Sequence, residues 1–132
     1  MAVVDANFET LGQLVYDRLP EDVPRILLYV EFVGDGVVSA SLFYQTSNGG
    51  LYYADPDPEY VEDDLAIDKE LFNLQKVFDE DVKALEFEIR GDRFSTRFVY
   101  ADEFDTDIDR SARTDAALRR CFGHTSVHYK SL

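Results

Sequence analysis

The stretch LEFEIRGDRFSTRFVYADEFDTDID, residues 85–109, decides how the chain folds. Leu85, Phe87 and Ile89 alternate with Glu86, Glu88 and Arg90, the period of two that marks a strand apolar on one face. After Gly91-Asp92 the alternation resumes in Phe94, Thr96, Phe98 and Tyr100. A Gly-X pair suits a two-residue hairpin turn of type II′, because glycine accepts the positive φ of the first turn position. That loop length sets Ile89 against Phe94, Phe87 against Thr96 and Leu85 against Phe98, all on one face. On the other face Glu86 meets Arg97, a cross-strand pair contributing roughly 0.2–1 kcal/mol. A slip of one residue would turn the aromatic side chains into water, so the register is well specified.

Two further segments read as strands upstream. RILLYVEFV (25–33) and VVSASLFYQT (37–46) flank the turn residues Gly34-Asp35-Gly36. Pairing across that turn sets Ile26, Leu28, Val30 and Phe32 beside Tyr44, Leu42, Ala40 and Val38. Asn48-Gly49 is a strong hairpin signal and leads to a brief third strand, LYYA (51–54). The reverse face of this meander carries Leu27, Tyr29, Phe43 and Tyr52, mixed with Glu31, Ser39, Ser41 and Gln45. A sheet face this apolar normally takes a second layer, or else binds a partner.

Helical spacing appears in three places. Phe8, Leu11, Val15 and Leu19 define a helix over 7–19, with Asp5 or Asn7 as N-cap and Pro20 as its stop. Leu71, Leu74, Phe78, Val82 and Leu85 suggest a second helix over about 65–84. DAALRRCFG reads as a short third helix ending at Gly123, with Ala117, Leu118, Cys121 and Phe122 as its apolar stripe. This helix is the natural cover for the Tyr29–Phe43 face. The expected fold is therefore α+β: one domain over 1–132, an antiparallel sheet of about five strands with helices packed on it, in the order α-β-β-β-α-β-β-α.

The 132 residues carry 27 acids against 13 Lys and Arg, a formal net charge of −14. Ten phenylalanines and eight tyrosines argue for a packed core despite that charge. Such a balance disfavours nucleic-acid backbones and anionic lipid, and attracts basic proteins. Equally, the acid serves solubility or a salty cytoplasm. It is unevenly spread. Residues 55–81 hold eleven acids against Lys69 and Lys76, and residues 102–109 hold five with no base. Beyond them Arg110, Arg113, Arg119, Arg120 and Lys130 face a single acid, Asp115, so the tail and the acid run could neutralise each other. One cysteine, no long apolar run and an N-terminus without a basic region lead us to expect a cytoplasmic chain without disulfides or membrane spans.

Catalytic signatures are sparse. Asp105-Thr-Asp107-Ile-Asp109 lacks the sixth-position Gly and twelfth-position Glu of a calcium loop. Cys121, His124 and His128 have zinc-like spacing but no fourth ligand in view. No nucleophile elbow or phosphate-binding glycine loop occurs. The expectation is a binder, with no enzymatic activity, no cofactor and no bound metal.

In order and spacing, the elements resemble the YezG-type antitoxin family, small immunity proteins that neutralise secreted bacterial toxins. The matching pieces are Leu11, Leu14 and Leu19-Pro20-Glu21, then Leu28-Tyr29-x-Glu31, Phe43-Tyr44 and Tyr52-Tyr53. They close with Leu85-x-Phe87, Gly91-x-x-Phe94 and Tyr100-x-Asp102, so the resemblance spans about residues 8–105. Two departures stand out: the chain has no tryptophan ahead of the fourth strand, and its turn reads Gly-Asp-Arg-Phe rather than Gly-Lys-Phe. The resemblance implies an α+β fold, no catalysis, and binding of a cognate toxin protein, a basic nuclease domain suiting the acidic surface. The candidate partner-binding residues are Asp55, Asp57, Glu59 and Tyr60 in the first acidic segment, and Asp102, Glu103, Phe104, Asp105, Asp107 and Asp109 in the second, with Tyr52 as a further aromatic anchor. The alternatives are a non-catalytic small-molecule-binding or regulatory domain, with its pocket between sheet and helices, and a metal-dependent hydrolase using the carboxylates.

Overall fold

A computed structural model describes residues 2–19, 23–34, 37–54, 58–78 and 81–128. Among these, the chain forms α1 (Ala2–Arg18), β1 (Arg25–Gly34), β2 (Val37–Gln45) and β3 (Leu51–Tyr53). A 3-10 turn (Pro58–Tyr60) then precedes α2 (Val61–Gln75), β4 (Val82–Arg90), β5 (Arg93–Tyr100), α3 (Arg110–Phe122) and β6 (Val127–His128). The strands make one sheet in the order β5-β4-β1-β2-β3-β6. All neighbours are antiparallel except β3 and β6, which are parallel.

The central hairpin has the register its turn predicts: Ile89 faces Phe94, Phe87 faces Thr96, Leu85 faces Phe98 and Glu86 faces Arg97. Gly91 takes φ +61°, the left-handed conformation the turn requires. The β1–β2 register is also as expected, from Ile26 against Tyr44 to Phe32 against Val38. Asp35 and Gly36 of that turn lie outside the described residues.

One face of the sheet packs under α1 and α2. Phe8, Leu11 and Val15 of α1 and Ile67, Leu71 and Leu74 of α2 meet Ile26, Leu28, Val30, Leu85, Phe87 and Ile89. Arg18, almost wholly buried, ties the helices together through Asp64 Oδ1 at 2.7 Å and lies over the Tyr60 ring at 4.3 Å. The other face carries Leu27, Tyr29, Phe43, Leu51, Ala84 and Val99, covered by Ala117, Leu118, Cys121 and Phe122 of α3. The third helix is thus the second layer that the Tyr29–Phe43 face calls for. Its stop is Gly123 at φ 84°, whose N–H bonds to the Arg119 carbonyl. Arg25 donates to the Cys121 carbonyl at the same end, a cation placed at the negative end of the helix dipole.

Several local expectations are corrected. α1 begins at Ala2, so Asp5 and Asn7 lie within it rather than capping it. α2 runs over Val61–Gln75, not 65–84, and Val82 and Leu85 belong to β4, both pointing into the α1–α2 core. The reason is that Val82 and Leu85 satisfy both spacings, and pairing with β1 and β5 competes for them. Tyr52 does not join the Tyr29–Phe43 face. Pairing of Gln45 with Leu51 puts Tyr52 opposite Tyr44, stacked on it at 5.5 Å on the α1–α2 side, while Leu51 and Tyr53 take the α3 side. The sixth strand, β6, is two residues long and lacked any sequence pattern.

Candidate partner-binding surface

The segment between β5 and α3 is built as a braced loop. Phe104 and Glu103 backbone N–H groups bond to the Tyr100 carbonyl, each at 2.9 Å, and Ala101 N–H bonds to Asp81 O at 2.8 Å. Asp105 Oδ1 accepts from the Asp107 N–H at 2.9 Å. Arg113 reaches back from α3 to the Asp105 carbonyl at 2.9 Å and to the Ile108 carbonyl. The same guanidinium lies 4.5 Å from the Phe104 ring centroid. Asp102, Asp105 and Asp107 are left exposed on this braced loop.

The remaining residues of the segment have work inside the fold. Asp109 is the N-cap of α3, its side chain accepting from Ala112 N–H at 2.9 Å. Glu103 pairs with Arg97 at 3.2 Å. Phe104 is half-buried and packs against the α3-side core, so it is partly a fold residue rather than a free anchor.

Beneath α3 lies a charged layer that periodicity alone did not assign. Glu31 is 3% exposed and accepts from Arg113 Nε at 2.7 Å, Arg113 Nη2 at 3.1 Å and Tyr29 Oη at 2.6 Å. Burial pushes the Glu31 carboxyl up, but the hydrogen bonds from Arg113 and Tyr29, with the Arg113 and Arg110 charges, hold it below the ordinary carboxylate value. Burial in turn raises the Tyr29 phenol, and its bond to Glu31 raises it further. Glu86 is equally enclosed, gripped by Arg120 Nε at 3.1 Å and Arg97 Nη1 at 3.0 Å. The α3 arginines therefore neutralise two sheet glutamates, and the acid of 102–109 keeps its excess. The available signal was the spacing of Arg110, Arg113 and Arg120 along one helix edge, opposite strand positions where a glutamate interrupts apolar neighbours.

The other candidates are placed elsewhere. Asp55 and Asp57 lie outside the described residues. Glu59 is exposed and Tyr60 half-buried under Arg18, both on the 3-10 turn leading into α2. Tyr52 is half-buried between Tyr44 and His128. Glu59, Tyr60 and Tyr52 thus belong to the α1–α2 layer, and the 102–109 loop to the α3 layer. A single face combining all the candidates is not formed by the described ones.

The zinc-like trio is also dispersed in role. Cys121 is buried against the sheet, and burial pushes its thiol up to about 12, with the nearby Glu88 charge adding. His124 Nδ1 accepts from Ser126 N–H, and His128 packs tilted against the Tyr52 ring at 5.1 Å. Among the described residues, no group of three His, Cys, Asp or Glu side chains could hold a metal ion. No helix among them is long and apolar enough to cross a membrane.

No protein-family model matches the chain, and none of the curated proteins compared with it matches.

Proposed function

We propose that this protein is a non-catalytic, cytoplasmic immunity protein of YezG type, binding and neutralising a basic toxin domain, a nuclease being the chemistry that suits an acidic inhibitor. The observation that carries this reading is the loop 101–109. Arg113 and Asp109 fix its backbone from within, while Asp102, Asp105 and Asp107 face solvent with Ile108 39% exposed beside them. A loop ordered before binding loses less entropy on association, which favours affinity. Exposed carboxylates accelerate encounter with a basic surface, and adjacent apolar groups lengthen the complex's lifetime. The buried glutamates Glu31 and Glu86 support the same division of labour, being closed into ion pairs with arginine.

The test is co-expression with a basic toxin domain, sought at the C-terminus of any large secreted protein encoded next to this chain. Rescue of growth, and a complex that dissociates faster when Ile108 is changed to Ala, supports the reading. Failure of the intact chain to bind that domain at low salt refutes it.

A further inference from the structure

On the α1–α2 face, a cleft of about 270 Å³ opens where α2 passes beside β2 and the end of β3. Leu28, Leu42 and Ile67, all buried, make an apolar floor, Ala40 and Ala54 leave space that larger side chains would fill, and Tyr53 completes the wall. Asp64 and Asp68, one turn apart on α2, line the same cleft.

The two carboxylates differ. Asp64 is engaged by Arg18 at 2.7 Å. Asp68 has no hydrogen bond or ion pair among the described residues. Although Asp68 reaches solvent, partial burial raises its pKa and the Asp64 charge adds to this, so the cleft holds an uncompensated negative charge against an apolar wall.

Size and chemistry restrict the occupant. The volume falls just short of the roughly 300–1,000 Å³ of sites for drug-sized ligands, yet far exceeds the ~30 Å³ share of one water. It suits a group the size of a long side chain. An anion is repelled. A hard divalent cation wants six or more oxygens; the side chains lining the cleft supply at most those of two aspartates, one already engaged by Arg18, and the Tyr53 hydroxyl, short of that number. A cation with an aliphatic body satisfies both parts of the lining at once.

We propose that this cleft binds a primary ammonium on a short aliphatic stem, the stem lying on Leu28, Leu42 and Ile67 and the ammonium pairing with Asp68. The site goes beyond the toxin-binding reading and does not depend on it. Two sources share this chemistry, a free aliphatic diamine and the lysine side chain of a protein partner.

The probe is n-pentylamine, titrated into the ¹⁵N-labelled full chain at neutral pH. Saturable shifts centred on Ala40, Leu42, Ala54, Ile67 and Asp68 are expected, weakened about tenfold in Asp68→Asn and largely retained in Asp68→Glu. Ala40→Leu, which fills the cleft without touching its charge, should abolish the shifts while leaving the rest of the spectrum in place. Tighter binding of cadaverine than of Nα-acetyl-lysine methylamide supports the site and assigns it to free diamines; the reverse order supports it and assigns it to a partner's lysine. Equal binding by Asp68→Asn overturns the proposal, as does equal binding of uncharged n-pentanol. Unsaturable shifts spread over the exposed acids, including Asp102 and Asp107, overturn it as well, since they report only the general field of the −14 chain.

Discussion

Replacing Arg113 with Met should be the most damaging single change under α3. Glu31 is 3% exposed and takes two of its three close hydrogen bonds from Arg113, at 2.7 and 3.1 Å. Without them it keeps Tyr29 at 2.6 Å and Arg110 Nε no nearer than 3.8 Å. Removing one partner of a buried pair typically costs about 3–5 kcal/mol, because the other charge stays buried. Tyr29 and Arg110 compensate in part, so about 3 kcal/mol is expected at pH 7. Glu31→Gln combined with Arg113→Met should cost less than Arg113→Met alone, since no orphan charge remains. The pH dependence has a definite sign. Glu31's pKa is lowered in the folded state, so its contribution is fully present above the unfolded value, and it is lost as pH falls through the lowered folded one. The gap between wild type and Arg113→Met, read by urea unfolding, should therefore narrow as pH drops below that of an ordinary glutamate. A loss under about 1 kcal/mol at pH 7, or a gap that does not narrow in acid, would refute this account of Glu31.

Changing Asp102, Asp105 and Asp107 together to Asn should slow association with a basic toxin domain and flatten its salt dependence, with urea midpoints nearly unchanged because all three are exposed. Wild-type association rates for that variant at low salt would exclude the loop as the steering surface. Phe104→Ala should raise the dissociation rate and also destabilise the free chain by about 1–2 kcal/mol, less than the ~3–5 of a fully buried Phe, because the ring is half-buried against the α3 layer. Asp109→Ala removes the α3 N-cap and should cost about 1 kcal/mol in urea unfolding, with no measurable effect pointing away from the cap. Protein purified without chelators should carry no stoichiometric zinc by elemental analysis, since among the described residues no three His, Cys, Asp or Glu side chains come together to hold a metal ion; zinc lost in Cys121→Ser would contradict this.

The strands whose turns carry glycine were legible residue by residue. Gly91-Asp92 fixed Ile89 against Phe94, and the β1–β2 pairing followed from the same alternation. The apolar stripe of α3 and its stop at Gly123 were equally plain. The end of α2 was not, because Val82 and Leu85 fit a helical stripe and a strand face alike. Tyr52 was misplaced by one position, since the Asn48-Gly49 signal marks a turn without fixing how many residues the loop spends, and each extra residue reverses the face. Of the candidate site, the acid of 102–109 was readable as charge. Its sorting into exposed Asp102, Asp105 and Asp107, the cap Asp109 and the paired Glu103 was not.

Alternation, turn glycines and helix stripes depend on neighbours along the chain, and the net charge of −14 on composition, so all were set before any packing. Tertiary structure alone decided which charges meet. Glu31 and Arg113 are 82 residues apart, and Glu86 and Arg120 are 34 apart, yet each pair closes to hydrogen-bond distance under α3. The cleft beside Asp68 arose the same way, from α2 passing beside Ala40 of β2 and Ala54 just beyond β3. Periodicity reports the face a side chain takes, whereas its partner across the layer depends on how whole elements pack, which no local pattern encodes.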